Sequence, residues 1–174
     1  MILINIFSTI LFMLYDNINL YSYWSTTMKN HTTQMTEGLA KLLADTYTLY
    51  LKTQYFHWNV TGPLFHSLHK MFEEEYIELA AAVDEIAERI RALGATAPGS
   101  FTDFLKLTSI KDETDTPSAS EMVKKLLTDH ETVIKHLHSL MPVAQNLSDE
   151  ATLDLLITRT EIHQKTAWML RSSA

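Results

Sequence analysis

Residues 65–93, FHSLHKMFEEEYIELAAAVDEIAERIRAL, decide the fold. Phe65, Leu68, Phe72, Tyr76, Leu79, Val83, Ile86, Ile90 and Leu93 alternate in steps of three and four. Kept up over about four heptads, that spacing places their side chains on one stripe of a long α-helix. Away from the stripe lie Glu74, Glu75, Glu78, Glu85 and Arg89, a charged face expected to meet solvent. A helix with one apolar stripe must bury it against other helices, so the flanking segments should supply them.

They do. Gly62-Pro63 closes an earlier segment in which Leu39, Leu43, Thr46, Tyr50, Thr53 and His57 keep the same spacing, and Gly94 to Gly99 (GATAPG) closes the second helix. Phe101 to Leu107 reads as a short extra helix. Ser118-Ala119-Ser120-Glu121, after Pro117, has the form of a capping box. It opens a third long helix through Val123, Leu126, Leu127, His130, Val133, Ile134 and Leu137, with a bend expected near Pro142. A fourth should begin after Ser148, with Asp149 and Glu150 in its first turn, where the helix dipole favours acids. It continues through Leu153, Leu156, Ile157, Thr160 and Trp168. No run alternates long enough for a strand. The expectation is an all-α, ferritin-like four-helix bundle with a short extra helix between helices two and three.

Composition agrees and narrows the chemistry. The chain has 174 residues, enough for one domain with its own core, and only four Gly and four Pro, too few for a many-turned β fold. With no Cys it cannot use disulfides, thiolate metal sites or thiol catalysis. Fourteen Lys and Arg against 21 Asp and Glu give a formal charge of −7, a poor basis for neutralising phosphates. Among residues 1–27 the one charged side chain is Asp16, and the apolar run Met1 to Leu14 is shorter than the roughly 20 residues of a spanning helix. The first Lys is Lys29, so a positive n-region is missing, and no Ala-x-Ala cleavage pattern follows. Residues 1–27 are therefore expected to lie outside the functional domain, as an over-long start, with residues 28–174 forming that domain in the cytoplasm and away from membranes. The alternative is an atypical membrane or export segment.

Beside the apolar stripe of the second helix runs another. At about 100° per residue, His69, Glu73, Asp84 and Glu88 fall within a sector of about 100°, interleaved with Ile77, Ala80 and Ala87. Such a stripe suits a helix-to-helix contact that also binds a cation. His69 and Glu73 are four apart and can share a metal, as can Asp84 and Glu88. The two pairs lie about 22 Å apart along the axis, so no single ion joins them within one helix. A two-fold axis near Ile77 would pair antiparallel copies of the helix and bring His69 of one chain to Asp84 of the other. His57, at the end of the first helix, could reach the same place. Imidazoles with carboxylates and open positions suit non-haem Fe(II). An intrachain di-iron site would need Glu-x-x-His motifs, and the sequence contains none.

His57-Trp58-Asn59-Val60-x-Gly62, then Phe65, Leu68-His69, Phe72-Glu73 and Asp84-Glu85-Ile86-Ala87-Glu88-Arg89, resemble the Dps family. These are the mini-ferritins, or DNA-binding proteins from starved cells, and the likeness covers about residues 36–172. The resemblance implies a dodecameric cage built from two-fold dimers. It implies a ferroxidase that oxidises Fe(II), preferably with hydrogen peroxide, stores the ferric iron and so protects against oxidative damage. By motif position His57, His69, Asp84 and Glu88 would be ferroxidase ligands shared across the dimer. Glu73, where the family often has Asp, would be a further metal ligand, and Trp58 an aromatic side chain near the iron. Asp149, Glu150 and Asp154 would line an iron-entry pore, although dipole compensation explains the first two equally well. His66 reads as a neighbour of the stripe, and His130, His136, His138 and His163 as members of a polar helix face. The alternative function is a nucleoid-associated DNA-binding protein with iron oxidation secondary. The stretch KNHTTQMTEG after Met28 has a single Lys and the C-terminal MLRSSA only Arg171, so DNA binding is expected to be weak or absent.

Overall fold

In the computed structural model of the chain residues 32–174 are described, and the expectations for residues 1–27 lie outside them. Four long helices and one short one follow in order: α1 (residues 32–59), α2 (Phe65–Ala92), α3 (Phe101–Leu107), α4 (Ala119–Asn146) and α5 (Glu150–Ser172). There is no strand among the described residues.

Cross-links between side chains define how the helices run. Lys52 of α1 pairs with Asp129 of α4 at 2.6 Å, and Asp45 of α1 bonds His136 of α4. One partner number rises as the other falls, so α1 and α4 are antiparallel. Arg89 with Asp149, and Glu78 with Arg159, show the same for α2 and α5. The five residues 60–64 join α1 to α2, and residues 147–149 join α4 to α5, as antiparallel hairpins. The long connection between α2 and α4 carries α3 and is pinned to the bundle where buried Asp45 accepts from Thr108 Oγ1 and the Ser109 N–H. Inside lie Leu39, Leu43 and Phe56 from α1, Phe72, Ile86 and Ile90 from α2, Val123, Leu126 and Leu137 from α4, and Leu156 and Leu170 from α5. Truncating one of these, such as Phe72→Ala, costs about 3–5 kcal/mol through lost transfer energy and the cavity left behind.

The helix ends follow the chemistry read from the sequence. Ser118 and Glu121 close the capping box in both directions. Gly94, at φ +86, ends α2 in a Schellman turn, with Gly94 N–H on the Arg91 carbonyl and Ala95 N–H on the Ile90 carbonyl. Ser148 fills the same left-handed position after α4, at φ 53, without glycine's freedom. Asp149 is the N-cap of α5 and does not sit inside its first turn. α4 passes through Pro142 and ends only at Asn146.

Four expectations of burial need correction. The face of α2 bearing Glu75, Glu78 and Arg89 is partly covered and not fully solvated, because α5 packs on it. Glu75 is buried, Glu78 pairs with the fully buried Arg159, and Arg89 bonds Asp149 and Thr152 of α5. The inward face of α5 is carried by Thr152, Leu156, Arg159, Thr160, His163 and Ala167, while Ile157 and Trp168 are exposed. An apolar count misses an inward face made mainly of polar side chains that pair with polar groups across the helix interface. Likewise His130 and His163 are buried against each other, and only His138 keeps the exposed position expected of a polar face. Phe65, expected on the buried stripe, is also exposed, because it opens α2 outside the bundle's cover.

Candidate metal centre

The last turn of α1 and the first turns of α2 meet through two histidines. His57 Nδ1 donates to the His69 carbonyl at 2.8 Å, and His69 Nδ1 donates to the His57 carbonyl at 2.8 Å. A carbonyl oxygen can only accept, so in each neutral ring the proton sits on Nδ1 and the lone pair on Nε2. That is the tautomer a metal requires, and the second-nitrogen bond also fixes the ring's orientation. The rings stack at 3.8 Å between centroids with 20° between planes. Two parallel Nε2 donors on adjacent, stacked rings are thus presented together.

Glu73 sits one turn along α2 from His69. Its Oε2 accepts from Lys70 Nζ at 2.7 Å, and the hydrogen bond and charge of Lys70, with smaller contributions from His57 and His69, hold its carboxyl below the usual range. Trp58 is 62% exposed beside this cluster. Asp84 and Glu88 are exposed and make no hydrogen bond or ion pair to any described residue. They lie on one face of α2 with Ala80 and Ala81, also exposed, and with Ile77, a large apolar side chain left 57% exposed. The structure therefore brings His57 and His69 together, with Glu73 one turn along and held by Lys70, and leaves Asp84 and Glu88 about 22 to 28 Å from His69 along the helix. Among the described residues of a single chain, no three His, Asp or Glu side chains converge on one ion.

The proposed pore acids divide. Asp149 caps α5 by accepting from Thr152 N–H and pairs with Arg89 at 2.6 Å. Burial acts to raise its carboxyl, but the bonds from Arg89 and Thr152 outweigh that and hold it below the usual range. Glu150 and Asp154 are exposed on the first turns of α5.

Sequence reasoning missed a buried polar series between α2, α4 and α5. Arg159 is paired with Glu78 and donates from Nη2 to His163 Nε2 at 3.2 Å. His163 Nδ1–H must then donate to His130 Nδ1, 2.8 Å away, which leaves His130 with its proton on Nε2. Burial, then the Arg159 charge, pushes His130 down to about 3; His163 is held well below its usual value by burial, His130 and Arg159. Glu75, buried beside them with both oxygens unpartnered among the described residues, is pushed up to about 8 by burial and then by Glu74. The signal for this series was Arg159 and His163 at i, i+4 on the same side of α5 as Leu156 and Ala167.

Comparison with known proteins follows the same lines. The ferritin-like domain family matches residues 36–173. DNA protection during starvation protein 2 of Bacillus anthracis is 41% identical over 139 residues, covering 80% of this chain and 95% of its own. Among solved structures, a Dps protein from Vibrio cholerae O1, described as a member of the ferritin-like diiron-carboxylate superfamily, superposes with TM-score 0.79 at 31% identity, covering 82% of this chain and 90% of its own. Dps from Thermosynechococcus elongatus superposes with TM-score 0.82 at 29% identity, covering 84% and 93%.

Proposed function

Because the chain belongs to the Dps family of ferritin-like proteins, we propose that it is a mini-ferritin that oxidises Fe(II) at sites shared between two subunits and stores the ferric product in a dodecameric cage. The observation that carries this reading is the reciprocal bond between His57 and His69. It aims two Nε2 lone pairs outward from a chain whose matching acids, Asp84 and Glu88, lie too far along the same helix to serve them. An antiparallel copy, packed on Ile77, Ala80 and Ala81, supplies the missing acids and covers the exposed apolar surface. Glu73 adds a carboxylate once the incoming cation displaces Lys70.

Imidazoles and carboxylates hold Fe(II) without a thiolate and leave positions open for an oxidant. Hydrogen peroxide is the preferred one: two Fe(II), one peroxide and two protons yield two Fe(III) and two waters. Removing iron and peroxide together protects DNA without tight binding to it, consistent with a charge of −7. Glu150 and Asp154, exposed at the start of α5, are the acids left to guide cations inward. No described helix is long and apolar enough to cross a membrane.

The test is rapid mixing of Fe(II) and peroxide with the parent and with His69→Ala plus Asp84→Ala. Oxidation should slow by at least tenfold in the variant. Equal rates would refute the assignment.

A further inference from the structure

The ring contacts of α1, α2 and α3 form one unbroken series that begins at the metal-binding histidines. His57 meets Tyr76 edge-on at 5.2 Å between centroids, Tyr76 meets Tyr50 at 6.3 Å, and Tyr50 meets Tyr47 at 5.8 Å. Tyr47 then packs on Phe104 at 4.7 Å and Phe101 at 6.0 Å. The far end borders a cavity of about 220 Å³ whose walls include Tyr47, Val83 and Ala87. Val83 and Ala87 immediately precede Asp84 and Glu88 in the chain. One end of the series therefore touches the imidazoles of one shared site, and the other shares a cavity with the α2 residues that directly precede the acids serving the second.

We propose that Tyr76, Tyr50 and Tyr47 are an electron relay joining the two iron sites of a dimer. This rests on the shared-site reading above and deepens it. Peroxide needs two electrons, and an Fe(II) ion supplies one. With a single iron at a site, breaking the O–O bond leaves hydroxide and a one-electron oxidant of hydroxyl-radical class. A second electron must arrive before that oxidant attacks the protein.

Tyrosine gives up one electron to such an oxidant far more readily than phenylalanine, so the three phenols are the oxidisable members of the series. Tyr76 supplies the second electron. It is refilled by Tyr50, Tyr50 by Tyr47, and Tyr47 by the Fe(II) at the far site. Each phenolic proton passes to solvent as its electron leaves and is regained from solvent with the replacement, the three side chains being partly exposed, so the tyrosines end unchanged. The two hydroxides take two protons from solvent. The sum is two Fe(II) oxidised, one peroxide reduced and two waters formed, with one electron drawn from each site. None of the three phenol oxygens bonds a described residue, so removing one leaves no partner stranded.

The experiment uses the full-length assembled protein, loaded without oxygen at one Fe(II) per site and mixed with one peroxide per two irons. Iron oxidation is followed by stopped flow and escaping radical by spin-trap EPR. The parent should oxidise both irons in one fast phase with little adduct. Tyr50→Phe keeps the ring and its packing but breaks the relay. Half the iron should then oxidise at the parental rate and half at least tenfold more slowly, with adduct rising several-fold. Tyr55→Phe, outside the series, should match the parent. If Tyr50→Phe matches the parent in both readouts while His69→Ala plus Asp84→Ala abolishes oxidation, the relay is wrong and the shared site stands. If that double variant oxidises iron normally, both readings fall.

Discussion

Acidification should loosen the bundle through His130, by an amount that can be worked out. In the folded chain its ring is sealed between α4 and α5, accepts from His163 and stays neutral down to about pH 3. In the unfolded chain it takes up a proton near pH 6.5. Below pH 6.5 the unfolded state therefore binds a proton that the folded state refuses, and stability falls by about 1.4 kcal/mol per pH unit. From pH 7.5 to 4.5 that amounts to about 3 kcal/mol for His130, with almost nothing lost above pH 7. His163, also depressed by burial, acts in the same direction. His130→Gln can still accept from His163 and does not titrate. Urea unfolding of the assembled protein at fixed concentration, across this pH range, should show the variant losing about 3 kcal/mol less than the parent. Superimposable pH profiles would refute the argument, because they would mean that His130 is already protonated in the fold.

Other outcomes follow from single features. Ser148→Gly should raise stability by about 1 kcal/mol in thermal or urea melts, by relieving the left-handed strain at the turn between α4 and α5. Gly38→Ala should destabilise the bundle, since a Cβ there runs into the Leu140 side chain on α4; melting at an unchanged temperature would contradict it. Ile77→Glu should block the antiparallel pairing of α2, visible as a smaller assembly by light scattering and as lost iron oxidation. Co-assembling a His57→Ala, His69→Ala variant with an Asp84→Ala, Glu88→Ala variant should restore roughly a quarter of parental oxidation, because half of randomly formed dimers are mixed and each mixed dimer keeps one intact site.

The helices themselves were legible from spacing and punctuation. α2 shows its seam, Gly94 its end, and Ser118 with Glu121 the start of α4, because periodicity and caps are local properties. The pairing of His57 with His69 was legible in position but not in mechanism: no spacing rule says that each ring would bond the other's carbonyl. The covered face of α2 was not legible, because Glu75, Glu78 and Arg89 look like solvated residues until α5 brings Arg159 and Asp149 against them. The same holds for His130 and His163, which sit 33 positions apart and become a pair only when α4 and α5 pack. For Asp84 and Glu88 the proposed role needs a second chain, a relation that the motif suggests and one chain's geometry does not contain.

The reciprocal His57–His69 bond has a consequence for how this centre can change over evolution. Both acceptors are main-chain carbonyls, so no neighbouring side chain is needed to steer either ring. What steers them is the register between the end of α1 and the start of α2, set by the link at residues 60–64, with Gly62 at φ +103. Side chains around the link other than Gly62 can therefore vary widely without turning the rings, whereas adding or deleting one residue there would rotate the two helix ends against each other and misdirect both Nε2 atoms. The length of a surface turn, with glycine at its left-handed position, is the heritable trait that keeps the two rings aligned. By the same logic the unit is portable: a helical hairpin of matching register, with histidine at these two positions, would present the same pair of Nε2 lone pairs in another bundle.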